Sequence, residues 1–87
     1  MIKVYYDLDI LKPHSPDSDY VARALMEVKG ILDVRIKLDE LDSKTASLHI
    51  HITGNDLSLE EITEKLTSLN CAVHSIDEVS ICKKGDT

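Results

Sequence analysis

An α+β chain with the element order β-α-β-β-α-β is what this 87-residue sequence predicts, on three observations. Four stretches alternate apolar and polar residues with the period of two that a half-buried strand requires. Two stretches between them carry apolar residues at the three-to-four spacing of a helix with one buried side. Each helical stretch has its own start and stop signals.

The first strand, β1, places Ile2, Val4, Tyr6, Leu8 and Ile10 on one side and Lys3, Tyr5, Asp7, Asp9 and Leu11 on the other. Pro13 ends it. Ser15 and Pro16 read as the N-cap and first residue of a helix, α1, with Asp17 and Asp19 against the positive end of its dipole. Val21, Ala24, Leu25 and Val28 form its inward stripe, and Gly30 its stop. In β2, Leu32, Val34, Ile36 and Leu38 face inward, while Asp33, Arg35, Lys37 and Asp39 form a charged outer side that suits a sheet edge. A turn at Asp42-Ser43-Lys44 leads to β3, where Ala46, Leu48, Ile50 and Ile52 alternate with Ser47, His49, His51 and Thr53.

Gly54-Asn55-Asp56 reads as a loop. Ser58 and Glu61 form a capping box that opens α2, with Leu57 and Ile62 as a hydrophobic staple. Ile62, Leu66 and Leu69 continue the stripe, and Asn70 suits the left-handed residue after a helix. Cys71 to about Ile81 forms β4, and residues 83–87 read as a frayed polar tail.

Residues 1–42 and 45–87 therefore make two similar β-α-β halves of a single domain spanning 1–87. Two such halves interlock as a ferredoxin-like sandwich: an antiparallel sheet of spatial order 4-1-3-2 with both helices on one face. In this arrangement β1 and β3 are central and are expected to run parallel. β4 flanks β1, and β2 flanks β3.

The composition narrows the function. A net charge of −6 disfavours nucleic-acid and anionic-membrane partners. The start of the chain is strand-like rather than a signal peptide, and no apolar run reaches membrane-spanning length. Two cysteines without a CxxC pattern point to a reducing compartment, so a cytoplasmic location is expected. Cys71 and Cys82 read as small buried hydrophobes. With no Phe or Trp the core must be aliphatic. A domain this small leaves little stability to spare, which favours self-association.

With the helices on one face, the other carries Tyr5, Asp7, Asp9, Arg35, Lys37, His49, His51 and His74. Carboxylates and imidazoles converging from several strands suit a divalent metal ion of undefined identity. The expected patch is Asp7, Asp9, His51 and His74, with His49 beside it. The plainer reading is that an open sheet face is polar, and is solvated or packed against another subunit. Tyr5 suits a subunit interface. His14, after a proline and beside α1, either binds an anion or metal or caps a backbone carbonyl, with capping preferred. Ser75 and Asp77 follow His74, but no nucleophile-base-orienter set emerges, so no enzymatic activity is expected.

Known functions of this fold each lack their residues here. The two central strands show no aromatic pair for RNA. The loop after β1, Leu11 to Pro16, has no CxxC for copper or zinc delivery. It also has neither the glycine-rich arginine loop of an acylphosphatase nor the glycine common in amino-acid-binding regulatory domains.

Three blocks do match a known pattern: Leu8-Asp9-Ile10-Leu11-Lys12-Pro13-His14, Gly54-Asn55-Asp56-Leu57 and His74-Ser75-Ile76-Asp77-Glu78-Val79. In this order and over nearly the whole chain, the sequence resembles the archaeal "domain of unknown function 211" family. That resemblance implies a ferredoxin-like fold, homo-oligomers arranged as rings, and bound divalent ions, with no established activity. It draws attention to Asp9, Lys12, His14, His74, Asp77 and Glu78 as the polar members of the matching blocks. The chain departs from the family at Cys71-Ala72, where glycines are common. The expectation is a homo-oligomeric protein binding a divalent metal ion; the alternative is a regulatory module binding a small metabolite between subunits.

Overall fold

The computed structural model of the chain describes residues 1–83. Its elements follow the expected order: β1 Ile2–Pro13, α1 Ser18–Leu25, β2 Ile31–Leu41, β3 Thr45–Asn55, α2 Leu59–Ser68 and β4 Ala72–Lys83. The strands form one sheet of order β2-β3-β1-β4, the expected order read from the other edge. Among the described residues no helix is long and apolar enough to cross a membrane. Lys83, placed by the sequence in a polar tail at 83–87, is instead the last residue of β4; 84–87 lie outside the described residues.

One expectation about strand direction is overturned. β1 and β3 pair antiparallel, with Asp7 opposite His51 and Asp9 opposite His49. The reason is topological. The α1 crossover makes β1 and β2 parallel, and the short turn after β2 reverses the chain, so β3 opposes both. That turn is closed by the Asp42 N–H donating to the Thr45 carbonyl at 2.8 Å.

The core is the inward side of the two central strands roofed by the helices. Leu8, Ile10, Ile50, Ile52, Val21, Leu25, Ile62 and Leu66 are all completely buried. The Ser58 hydroxyl accepts from Glu61 N at 3.3 Å, Leu57 packs against the core, and Asn70 holds φ 65°, as the α2 signals predict.

α1 starts later than its sequence suggests. Its N-cap is Asp17, whose carboxylate accepts from Tyr20 N at 2.8 Å, and not Ser15. The cause is Lys12, only 4% exposed on the inward side of β1. Its ammonium donates to the carbonyls of Pro13, His14 and Pro16 at 2.7, 3.4 and 2.8 Å. The Pro16 carbonyl is thereby taken from the helix, and Asp17 supplies the cap. α1 also ends at Leu25, before Gly30.

Gly30 has another duty. It holds φ +93°, and its carbonyl accepts from Asn55 N at 2.9 Å. Gly54, predicted in a loop, is instead a buried residue of β3 facing it. A Cβ on Gly54 would collide with the Gly30 carbonyl oxygen and lie 2.9 Å from Ile31 Cα. Because both obstacles are backbone, Gly54→Ala should cost about 1–3 kcal/mol of stability. A urea titration checks this; an unshifted midpoint would show that the β2–β3 junction yields freely.

The helices are short for the sheet. Eight and ten residues give lengths of about 12 and 15 Å, whereas strands of 11 and 12 residues reach roughly 36–40 Å. The molecule extends over 50 × 22 × 18 Å. The strand ends and both sheet edges therefore lack a roof. Leu38 and Leu41 on β2, and Ile76, Val79 and Ile81 on β4, are 45–66% exposed. Leu32, expected inward, is 63% exposed, because a register shift between Ile31 and Asp33 gives the core position to Ile31.

The cysteines divide. Cys71 is buried, but Cys82 is exposed, contrary to expectation, because it lies on the uncovered end of the edge strand. Burial pushes the Cys71 thiol up, and nearby Lys12 opposes this only in part. In a Cys82→Ser variant, thiol labelling should therefore proceed only as fast as the domain opens. A rapid burst would show that solvent reaches Cys71 in the folded state.

Candidate metal centre

The open face is built row by row from the strand register. One row runs Arg35, His51, Asp7, Glu78, and the next Lys37, His49, Asp9, Ser75. His49 is thus a diagonal neighbour of Asp7, within reach of a long side chain across an antiparallel pair. Its Nδ1 lies 3.7 Å from Asp7 Oδ1.

β4 contributes through two irregularities. Its pairing with β1 shifts between Asp7 and Leu8 and again between Asp9 and Ile10, leaving Asp77 and His74 without directly opposed partners. Residues three apart on a regular strand face opposite sides. The shifts re-aim side chains, as bulges do, and both groups reach the open face. Asp77 Oδ2 lies 3.7 Å from His49 Nδ1, and His74 Nδ1 lies 3.5 Å from Asp9 Oδ2.

Asp7, His49 and Asp77 together offer three ligand atoms within 4.8 Å of one another. A tetrahedral ion with bonds of about 2.0–2.1 Å separates its donors by roughly 3.4 Å. The two 3.7 Å separations need only a small adjustment to meet that geometry. The polar balance of the cluster also favours a cation. Asp7 Oδ1 is buried and has no hydrogen-bond partner, although its side chain is part of a polar face. Such an atom has given up water without compensation, which a bound cation would supply. The His49 ring is oriented to ligate: Nδ1 points between the two carboxylates, and Nε2 lies 3.8 Å from Asp39 Oδ2. A carboxylate behind a ligating imidazole fixes its tautomer and raises its basicity. Asp77 is held in turn by the Ser75 hydroxyl, which donates to its Oδ1 at 2.8 Å and leaves Oδ2 toward His49.

The patch expected from the sequence is divided into neighbouring parts. Asp7 belongs to the three-ligand group, together with His49 and Asp77, which the sequence places second. Asp9 and His74 form a pair of their own, with His74 71% exposed. His51 Nδ1 is 4.0 Å from Asp7 but hydrogen-bonds to the Tyr5 hydroxyl, and the two rings stack at 6.0 Å. Burial pushes the Tyr5 hydroxyl up, Asp7 and Glu78 add to this, and Arg35 opposes it. A phenol kept protonated is a donor, so His51 Nδ1 is occupied as its acceptor.

The remaining candidates have other roles. His14 Nε2 lies 3.0 Å from the Asp42 carbonyl, and since a carbonyl only accepts, the ring donates; this is the capping arrangement. Lys12 is turned into the loop after β1. Glu78 is exposed at the sheet edge, opposite Asp7.

Comparison with known proteins agrees with the three sequence blocks. Residues 6–85 match the family DUF211, described as "Uncharacterized ArCR". A relative, the uncharacterized protein MJ0319 of Methanocaldococcus jannaschii, is 43% identical over 77 residues, which is 88% of this chain and 79% of the relative. With its sheet order and the position of its three blocks, the chain belongs to the archaeal DUF211 family.

Proposed function

We propose that this protein is a homo-oligomeric divalent-cation-binding protein of the cytoplasm, not an enzyme, and that Asp7, His49 and Asp77 hold the ion. The observation that carries the cation reading is the buried, unpartnered Asp7 Oδ1 facing an imidazole that also faces a second carboxylate. One imidazole with two carboxylates suits zinc or manganese, and water completes the coordination. A bound ion would offset the charge concentrated by Asp7, Asp39 and Asp77 around one histidine. Self-association is supported by the uncovered apolar residues at both sheet edges.

The test is thermal melting of the metal-stripped protein with Zn²⁺, Mn²⁺ or Ca²⁺. Melting should rise with one of these ions and fall again with chelator. His49→Ala and Asp77→Asn should each abolish the rise, while His74→Ala should retain it. A rise that survives the loss of His49, or fails only with His74, would move the ion to the Asp9–His74 pair. No rise with any ion would defeat the cation reading.

A further inference from the structure

On the helix side of the sheet, at the end where β1 finishes, local choices of sequence leave a space. The last inward row there is Lys12, Ala46 and Leu41, and the row before it Ile10, Leu48 and Leu38. Leu38 and Leu41 are three apart, and the register shift between Leu38 and Glu40 lets both stand in inward rows. Lys12 leaves its row to reach three carbonyls, Ala46 fills little of the gap, and α1 begins only at Ser18. The result is a cavity of about 250 Å³. Ala46 and Leu48 line it from β3, Leu38 and Leu41 from β2, and His14, Asp17 and Ser18 from the start of α1 and the loop before it.

The apolar part of this lining is uncovered, since Leu38 and Leu41 are 60% and 66% exposed. The polar part is short of donors. An ammonium has three protons, and those of Lys12 go to Pro13, His14 and Pro16. The dipoles of these carbonyls also oppose the Lys12 charge. His14 Nε2 donates to the Asp42 carbonyl, so in the neutral ring Nδ1 is an acceptor. Asp17 spends Oδ1 on the Tyr20 N–H, which leaves Oδ2. An anion here would face a carboxylate, whereas a cation would be paired with it.

We infer that this cavity binds a small primary amine. Its branched aliphatic body lies on Ala46, Leu48, Leu38 and Leu41, and its ammonium donates to Asp17, with Ser18 and His14 as further acceptors. The volume is below that of sites for drug-sized ligands and suits a body of roughly six non-hydrogen atoms. The cavity is on the face of the sheet opposite Asp7, His49 and Asp77, so the inference does not depend on the cation reading.

Ligand-observed NMR titration of the intact protein tests it, with isopentylamine, isopentanol and isovalerate as probes. These share one branched body and carry a cationic, a neutral and an anionic head. The amine should bind saturably, the alcohol about tenfold more weakly, and isovalerate not at all, because the charge-assisted hydrogen bond is the stronger one. Asp17→Asn keeps the N-cap, since Asn caps as well as Asp, and should bring the amine down to the level of the alcohol. Ala46→Leu fills the cavity and should abolish both, with circular dichroism checking the fold. If that variant does not fold, Leu38→Ser at an exposed position should weaken amine and alcohol alike. Four outcomes overturn the inference: no saturable binding of the amine, isovalerate binding more tightly than the amine, equal affinity for amine and alcohol, or an amine affinity unchanged by Asp17→Asn.

Discussion

Replacing Ile50 with alanine is expected to destabilise the domain by about 4 kcal/mol, the upper part of the range for a buried Ile→Ala change. Ile50 is completely buried on a central strand, with Leu8 opposite on one side and Ile36 on the other. The helices cross above it, and Leu25, Ile62 and Leu66 in that roof are also completely buried. A cavity here has few ways to collapse. The strand is held by ladders on both sides, and the interior around it is close-packed. A domain of this size carries about 4–13 kcal/mol of total stability, so the variant should be largely or wholly unfolded at modest urea. Met26→Ala is the comparison, because Met26 is an apolar side chain 45% exposed. It should shift the midpoint little. An Ile50→Ala change costing less than 1 kcal/mol would mean that the interior is loosely packed.

How much of this is legible in the sequence follows from how local each determinant is. The elements rest on periodicity and on caps within a few residues, and Ser58, Glu61 and Asn70 act where the sequence puts them. The sheet order follows from two crossovers and the handedness rule. What escapes is set by contacts between distant residues. Lys12 looks like the next polar position after a strand; only the folded loop shows that three carbonyls surround its ammonium. Gly54 looks like a loop residue because glycine usually is one, whereas here it makes room for the backbone at Gly30.

The candidate site shows the same division. Alternation alone places Asp7, Asp9, His49 and His51 on the open face. Choosing among them requires three facts that no spacing carries: the antiparallel register, the Tyr5–His51 hydrogen bond, and the shift that admits Asp77. A signal is present for the last of these. Between Cys71 and Ile81 the apolar and polar residues do not keep a period of two, which is what a strand with bulges looks like before it is folded.

Asp7→Asn should have opposite effects on the stripped and the cation-loaded protein, and this separates a binding site from an ordinary polar surface. In the stripped protein the carboxylate has a buried oxygen without a partner and faces Asp77 across His49. An uncharged amide of the same shape is cheaper to bury than a charged group, so the stripped variant should melt at or above the wild-type temperature. With the ion present the order should reverse. An ion at a hundredfold above its Kd stabilises the wild type by about 2.7 kcal/mol, which for a domain of this size raises the melting temperature by roughly 11–22 °C. The variant lacks one of the two carboxylates in the three-residue group and should lose most of that rise. If Asp7 were only a solvated or structural group, the two curves would move together: the variant would melt lower, or unchanged, by the same amount with and without the ion. The crossing of the curves is thus the diagnostic, and it does not depend on knowing which ion the protein meets in the cell.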